Sequence, residues 1–195
     1  MGQISVEYNV GGIEGMHVIT PKKFVDDRGF FMETYNEADM KAAGIDYSFV
    51  QDNQSMSVKG VLRGMHFQID HPQAKLLRVI SGVIYDAVID IRKGSKTFGK
   101  WYAEVLSAEN CRQVLIPEGL AHGFLVLSDT AEISYKCNVF YHPNDEGGIF
   151  WNDPDVGIEW PLAELGEGVE LIISEKDKRL PGMRDVISCN GNGLY

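Results

Sequence analysis

The chain has 195 residues, of which 44% are hydrophobic and 24% are charged, as is typical of a single globular domain with a sizeable core. Its 28 acidic and 18 basic residues give a net charge of −10, and no cluster of Lys and Arg offsets this charge, which argues against nucleic-acid binding. Without a membrane-length apolar run or an N-terminal leader pattern, the sequence predicts a cytoplasmic protein that does not enter the membrane.

Short β-like runs separated by Gly, Pro and Asn make up most of the sequence, a pattern that favours an all-β sandwich or barrel. One short helix is predicted over Glu37–Ala43, with Asn36 as its N-cap. A further turn is predicted at 162–165, after Pro161. The end of the chain, 180–195, carries an Asn- and Gly-rich stretch and is expected to be flexible unless a partner subunit holds it.

Two strands are predicted from alternation. Over residues 83–91, apolar side chains alternate with Asp86 and Asp90, which predicts a half-buried strand with the two carboxylates on the other face. Over residues 131–139, the same argument places Tyr135 on the inner face, together with the apolar side chains.

The segment 60–82 contains the most informative motif. Its spacing resembles the first metal-binding box of the cupins, with His66 retained, but Gln68 stands where a second histidine ligand is usual and Lys75 where a glutamate is. An ammonium group cannot ligate a metal ion. A neutral imidazole beside an ammonium suits instead proton abstraction next to a carbonyl, with the cation holding the enolate oxygen.

A second motif, Pro117-x-Gly119-x-x-His122, resembles the second cupin box. Two boxes in this order predict a double-sheet jelly roll with a site in the mouth of the barrel. A metal-dependent cupin that uses His66, His122 and Asp86 is an alternative, which the replacements at Gln68 and Lys75 disfavour.

Nine ordered segments between about Ile19 and Arg179 resemble the dTDP-4-dehydrorhamnose 3,5-epimerases. They are DDRGFFMETYN at 26–36, FVQDNQS at 49–55, GVLRGMHFQ at 60–68, QAKLLRV at 73–79, DIRKGSKTFGKW at 90–101, IPEGLAHGF at 116–124, ISYKCNVFYHPNDEGG at 133–148, IFWNDPDVGIEWP at 149–161 and ISEKD at 173–177. The resemblance implies one cupin-type jelly-roll domain over 1–195, with a few short helices.

The activity implied by this resemblance is that of an isomerase without metal or organic cofactor. It would epimerise C3 and C5 of dTDP-4-dehydro-6-deoxy-D-glucose, giving dTDP-4-dehydro-L-rhamnose in deoxysugar biosynthesis. The family also implies a homodimer in which an N-terminal strand or loop crosses to the other subunit. An epimerase acting on only one of the two carbons, and a jelly roll that binds sugar nucleotides without catalysis, are the alternatives.

Four catalytic roles follow from the resemblance. His66 would be the base, Asp177 would orient its ring, Tyr135 would be the acid and Lys75 would hold the enolate oxygen. Asp86 is an alternative partner for His66, and Tyr135 has the alternative interpretation of a core aromatic residue.

The resemblance also implies a set of substrate-binding positions that would hold the nucleotide, its diphosphate and the sugar. They are Arg28, Phe30, Glu33, Gln51, Asp52, Asn53, Arg63, Lys75, His122, Glu146 and Lys176. The planar guanidinium of arginine suits phosphate oxygens, and Gln or Asn amides suit the edge of a thymine. Ion pairing of Arg28 and Arg63 with nearby carboxylates such as Asp26 is the alternative.

Overall fold

The computed structural model describes residues 3–189, and these form 13 strands and two short α-helices. The elements in chain order are β1 (Ile4–Glu7), β2 (His17–Pro21), β3 (Phe24–Asp26), β4 (Gly29–Phe31), α1 (Glu37–Ala42), β5 (Gln51–Val58), β6 (Leu62–Gln68), β7 (Lys75–Ser81), β8 (Val83–Asp90), β9 (Trp101–Ser107), β10 (Gln113–Ile116), β11 (Leu120–Val126), β12 (Thr130–Cys137), β13 (Glu146–Gly148) and α2 (Met183–Cys189). Single 3₁₀ turns lie at Val10–Gly12, Leu162–Leu165 and Asp177–Arg179.

Two antiparallel sheets face each other. The six-stranded sheet has the order β1-β2-β10-β7-β12-β5, and the five-stranded sheet has the order β13-β6-β11-β8-β9. Strands β3 and β4 form a separate hairpin. This architecture confirms the predicted all-β, double-sheet jelly roll.

The apolar core has one cluster between the sheets and one on each outer side. Leu77 and Ile133 of the six-stranded sheet meet Val88 of the five-stranded sheet in the central cluster. The C-terminal segment 149–186 covers the outer face of the five-stranded sheet, and Trp160, Leu165, Met183 and Val186 are among the side chains that it buries. Met40 of α1 packs with Leu76 and Leu115 on the outer side of the other sheet.

Several local predictions are confirmed. The helix α1 begins after Asn36, whose side-chain oxygen accepts hydrogen bonds from the amides of Ala38 and Asp39, as an N-cap does. The turn at Leu162–Leu165 is present. On β12 the apolar residues Ile133 and Cys137 are 2% and 1% exposed, and Tyr135 packs with the same cluster as Ile133.

The prediction of a half-buried strand at 83–91 was wrong, because β8 is buried on both faces. Asp86 and Asp90 are 2% and 0% exposed, on the same face as Val88. Ala87 and Ile89, on the opposite face, are buried under the C-terminal segment. Alternation within the strand gives its two faces, but it does not show that a distant segment covers one of them.

The end of the described chain is the helix α2, which buries Met183 and Val186 against the outer cluster. Residues 190–195 of the predicted tail lie outside the described residues, so the flexibility of 180–195 stays a prediction. Within 3–189, no helix is long and apolar enough to cross a membrane.

Asp90 generates a stability prediction. Burial alone would raise the pKa of Asp90, but hydrogen bonds from Arg92, Ser95 and Thr97 outweigh burial and lower this pKa to about 2. A carboxyl group with a depressed folded-state pKa stabilises the fold above its unfolded pKa and loses that contribution as the pH falls towards the folded value. We expect Asp90→Asn to cost about 2 kcal/mol of unfolding free energy near neutral pH.

The measurement is urea unfolding of wild type and Asp90→Asn from neutral pH down towards the acid limit. Their difference in unfolding free energy should be constant near neutrality and shrink below the ordinary aspartate pKa of 3.8. Asp46→Asn, at a side chain that is 79% exposed, is the control and should change little. A difference that does not vary with pH would contradict the assignment.

Candidate active site

A cavity of about 390 Å³ opens between the two sheets, and both sheets supply its walls. Strands β5, β7 and β12 contribute from one side, and β6, β11 and β13 contribute from the other. The polar and ionisable side chains in its lining are Gln51, Asn53, Ser55, Arg63, His66, Gln68, Gln73, Lys75, His122, Tyr135, Tyr141 and Glu146.

His66 and Asp177 form a closely hydrogen-bonded pair. The Nε2 atom of His66 lies 2.7 Å from Oδ1 of Asp177, and the two residues are 111 positions apart in sequence. The Asp177 side chain is 4% exposed, whereas that of His66 is 37% exposed and faces the cavity. A carboxylate that accepts from Nε2–H leaves Nδ1 unprotonated, so the ring can act as a base through Nδ1.

The pKa of Asp177 reflects this contact. Burial would raise the pKa of the carboxyl group, but the hydrogen bond and charge interaction with His66, together with the backbone amide of Gly64, outweigh burial and lower it. Asp177 therefore stays ionised and holds the orientation and tautomer of the imidazole ring.

Tyr135 approaches the cavity from the opposite sheet. It lies on the inner face of β12, two residues after Ile133, and both side chains line the cavity. Burial raises the pKa of Tyr135, and Arg63 opposes part of this rise. The phenol therefore keeps its proton near neutral pH and can donate it.

Lys75 brings a positive charge to the cavity from β7. Burial lowers the pKa of this ammonium, while interactions with Cys137 and with the carboxylate of Asp86 act in the opposite direction. Over the described residues 3–189, its Nζ atom has no hydrogen-bond acceptor. Its donors are therefore available to an oxygen atom of a bound ligand.

A second histidine–carboxylate pair lies beside the first. His122 of β11 is the cross-strand neighbour of His66, and its Nε2 atom lies 2.7 Å from Oδ2 of Asp86. Asp86 thus pairs with His122, and Asp177 pairs with His66, which resolves the choice of partner that the sequence left open.

The close approach of β6 and β11 at this point depends on two glycines. Gly64 has φ +122°, and a Cβ atom added to it would lie 2.5 Å from Cα of Gly123. Any side chain at Gly64 would push the two histidine-bearing strands apart.

Three of the predicted binding residues line the wall near Tyr135. Gln51 donates from Nε2 to Oδ1 of Asn53 at 2.9 Å. Arg63 donates from Nε and Nη2 to Oγ of Ser57, at 3.2 and 3.0 Å. Ser57 is a neutral acceptor, so the guanidinium charge of Arg63 is not neutralised by that contact and remains available to an anion.

Glu146 and Lys176 form an ion pair at the rim of the cavity. Burial would raise the pKa of Glu146, but hydrogen bonds with Lys176 and Tyr141 outweigh burial and lower it. The Lys176 side chain is 52% exposed, so this pair lies where the cavity meets solvent.

Besides Lys176, which reaches the rim only through Glu146, four predicted binding residues are not brought to the cavity within the described part of one chain. Asp52 lies between two inward residues of β5, so alternation points it outward, where it accepts from Nζ of Lys136 at 2.9 Å. Arg28, Phe30 and Glu33 lie on or beside the exposed β3–β4 hairpin, and Arg28 pairs there with Asp26 at 2.6 Å. The Arg28–Asp26 pair is the alternative interpretation that the sequence offered for Arg28.

Sequence reasoning missed Gln73 and Tyr141 and gave Gln68 no role beyond that of a replaced ligand. The Gln68 amide donates to the carbonyl of His71 at 2.6 Å and accepts from the amide of His142 at 2.8 Å, which ties two loops at the cavity mouth. Gln73 donates to the carbonyl of Val139 at 2.6 Å. Tyr141 lies in a matched motif, but in a loop where no periodicity indicates its direction.

The described residues do not supply the set of ligands that the metal-dependent alternative requires. Gln68 uses its amide to hold the loops, and Lys75 is a cation. In the part of the chain that the structure describes, no group of three or more His, Cys, Asp or Glu side chains is placed to hold a metal ion.

Comparison with known proteins identifies the family. The sequence model of the family described as dTDP-4-dehydrorhamnose 3,5-epimerase matches residues 11–185. A dTDP-4-dehydrorhamnose 3,5-epimerase of Methanothermobacter thermautotrophicus is 52% identical over 173 residues, which cover 89% of this chain and 92% of that protein.

Solved structures agree with this match. The dTDP-6-deoxy-D-glucose-3,5-epimerase of Legionella pneumophila, in complex with dTDP-4-keto-L-rhamnose, has a TM-score of 0.86 at 43% identity and covers 93% of each chain. A 3′-monoepimerase of Streptomyces bikiniensis, in complex with dTDP-quinovose, has a TM-score of 0.82 at 32% identity, covering 91% of this chain and 88% of that one. The chain described here therefore belongs to the dTDP-4-dehydrorhamnose 3,5-epimerase family and is an isomerase.

Proposed function

We propose that this chain inverts C3 and C5 of dTDP-4-dehydro-6-deoxy-D-glucose, giving dTDP-4-dehydro-L-rhamnose, by proton abstraction and return through an enolate. The observation that carries the proposal is the placement of the base and the acid on opposite sheets. His66 enters the cavity from the five-stranded sheet, and Tyr135 enters it from the six-stranded sheet. A sugar ring held between them meets a base on one face and an acid on the other, as inversion requires.

Each inversion is a balanced proton transfer. Nδ1 of His66 takes the proton from the carbon next to the 4-keto group, and the C–H electron pair forms the enolate with its charge on the keto oxygen. The Lys75 ammonium stabilises that oxygen. The hydroxyl of Tyr135 then donates a proton to the opposite face of the carbon, which restores the ketone, and exchange with solvent resets both side chains.

Binding of the nucleotide is assigned to the polar wall and rim. The guanidinium of Arg63 suits the diphosphate, and the amides of Gln51 and Asn53 suit the edge of a thymine. His122 would contact the sugar near His66, and Glu146 with Lys176 would close the rim. These assignments are supported by the presence of Gln51, Asn53, Arg63, His122 and Glu146 in the lining of one cavity.

We further propose a homodimer in which the β3–β4 hairpin of one chain reaches the other chain. The hairpin exposes Val25, Phe30 and Phe31 to 73%, 59% and 67%, which is unfavourable for a hairpin left in water. Docking on a second copy would cover these apolar side chains and would bring Arg28, Phe30 and Glu33 towards the partner's cavity.

The number of carbons inverted is not decided by the fold, since the 3′-monoepimerase of Streptomyces bikiniensis shares it. The higher identity, 52%, to a 3,5-epimerase favours inversion at both carbons. The cytoplasmic location, the lack of a cofactor and the lack of nucleic-acid binding stay predictions.

The first test is NMR of the nucleotide sugar incubated with the protein in deuterated water. We expect loss of both the C3 and the C5 proton signals with wild type. His66→Asn should abolish exchange at both carbons. Tyr135→Phe should keep exchange through His66 but slow product formation by about 100-fold or more, because the second face loses its acid.

Exchange at one carbon only would identify a single-centre epimerase. Folded wild type that binds the nucleotide sugar without exchange would leave the non-catalytic binding protein as the better interpretation. Equal effects of His66→Asn and Tyr135→Phe on exchange would contradict the division of roles between base and acid.

The His66–Asp177 pair gives a second prediction. Asp177→Asn keeps the shape of the side chain, but its amide can donate to Nε2 and so favours the tautomer with its proton on Nδ1. We expect kcat to fall by about 100-fold or more with a small change in KM. The matched control is Glu175→Gln. Glu175 lies two residues from Asp177 in sequence, its side chain is 71% exposed, and the variant should retain activity.

Subunit complementation tests the proposed hairpin exchange. His66→Asn and Arg28→Ala should each have low activity alone, because one lacks the base and the other lacks the trans contact. Co-expression of differently tagged copies should restore up to about a quarter of wild-type activity, since half of randomly paired dimers would contain one intact site. A purified mixed dimer without recovered activity would show that Arg28 acts within its own chain, and full activity of Arg28→Ala alone would show that Arg28 has no role.

A further inference from the structure

Asp86 is a buried carboxylate that touches the cavity residues without lining the cavity itself. It is 2% exposed on the inner face of β8 and is absent from the cavity wall. Its Oδ2 atom pairs with Nε2 of His122 at 2.7 Å. Its Oδ1 atom is buried and has no hydrogen-bond partner within residues 3–189.

A buried carboxylate oxygen without a partner is costly unless a nearby cation offsets its charge. Lys75 is the cation that interacts with Asp86, and its own ammonium has no acceptor among the described residues. Asp86 on the five-stranded sheet and Lys75 on the six-stranded sheet therefore offset each other's charge across the space between the two sheets.

We propose that Asp86 is a positioning residue of the epimerase site, which keeps Lys75 cationic in the cavity and holds the ring of His122, without contacting the substrate. The inference rests on the proposed roles of Lys75 and His122. Accepting from Nε2–H of His122 leaves Nδ1 of that ring as an acceptor for a sugar hydroxyl. The retained charge on Lys75 is what stabilises the enolate oxygen.

The environment of Lys75 bears on whether Lys75 or Tyr135 limits activity at high pH by losing its proton. Cys137, the cross-strand neighbour of Lys75 on β12, and Asp86 on β8 interact with it electrostatically, and the other titratable groups of the cavity wall are Arg63, His66, His122, Tyr135, Tyr141 and Glu146. Burial lowers the pKa of Lys75 and raises that of Tyr135. The pKa of Lys75 is thus shifted towards neutral pH and that of Tyr135 away from it, so we assign the alkaline limb of activity to Lys75.

Removal of the Asp86 charge takes away an attraction that favours the ammonium form of Lys75. In Asp86→Asn, Lys75 should lose its proton at lower pH, so the alkaline limb of kcat/KM should move to lower pH. We expect kcat near neutral pH to fall by about tenfold or more, with a smaller change in KM. Asp86→Ser, which also lacks the charge but is smaller, should shift the limb in the same direction and serves if Asp86→Asn does not fold.

Two readouts separate this role from a structural one. The first is the pH profile of C3 and C5 proton exchange, and the second is the titration of Lys75 followed by NMR of the full-length protein labelled with ¹³C at lysine Cε. The Lys75 signal is assigned by its loss in Lys75→Arg. Asp145→Asn is the matched control, because Asp145 is also buried and pairs with a histidine, His71, at 2.9 Å, but does not line the cavity.

The proposal is supported if both Asp86 variants move the Lys75 titration and the alkaline limb to lower pH while Asp145→Asn moves neither. It is overturned if the Lys75 titration stays in place in folded Asp86→Asn or Asp86→Ser, even if kcat falls. Failure of the proposed function is distinct, since wild type would then show no exchange at carbon, while the Lys75 titration would still test the coupling to Asp86.

Discussion

Burial of charge between two sheets is the constraint on which this site depends. His66, Lys75 and His122 share one cavity in a β-sandwich, where an unpaired charge is expensive. The buried charges behind the two histidines are carboxylates, and each is hydrogen-bonded to a ring, Asp177 to His66 and Asp86 to His122. Both carboxylates are almost fully buried, so their orientation is set by packing and not by solvent. Within residues 3–189 the Lys75 ammonium has no acceptor, which suits its proposed action on a ligand oxygen.

The outer layers of the sandwich are therefore part of the chemistry. Asp177 lies in a 3₁₀ turn of the C-terminal segment, which also carries Trp160 and Met183 onto the five-stranded sheet. That cover makes β8 a strand with two buried faces, so Asp86 can lie inside the protein as a counter-charge. In the proposed mechanism, the groups that react are held on strands and the groups that orient them are held by packed neighbours, an arrangement that limits movement at the reacting atoms.

The single chain does not bring all of the proposed nucleotide-binding residues to the cavity. Arg63 and the amide pair of Gln51 and Asn53 are in place, whereas Arg28 and Phe30 stand on an exposed apolar hairpin. In the proposed homodimer, the proton-transfer centre would be complete within one chain, whereas the binding surface would be shared between the two chains. Substrate binding would then depend on dimer formation. In the proposed mechanism, the number of carbons inverted depends on how the sugar is presented to His66 and Tyr135.

Local pattern in the sequence was sufficient for the fold class, for the helix that follows the N-cap Asn36 and for the inward direction of Tyr135, because N-caps and strand alternation act over a few residues. The motif around His66 similarly predicted a base beside a cation. Only the tertiary structure decided that Asp177, 111 residues away, and not Asp86, holds His66. Only the tertiary structure likewise showed that both faces of β8 are buried. The segment that covers its outer face is distant in sequence, and local periodicity does not indicate which distant segment packs on a strand.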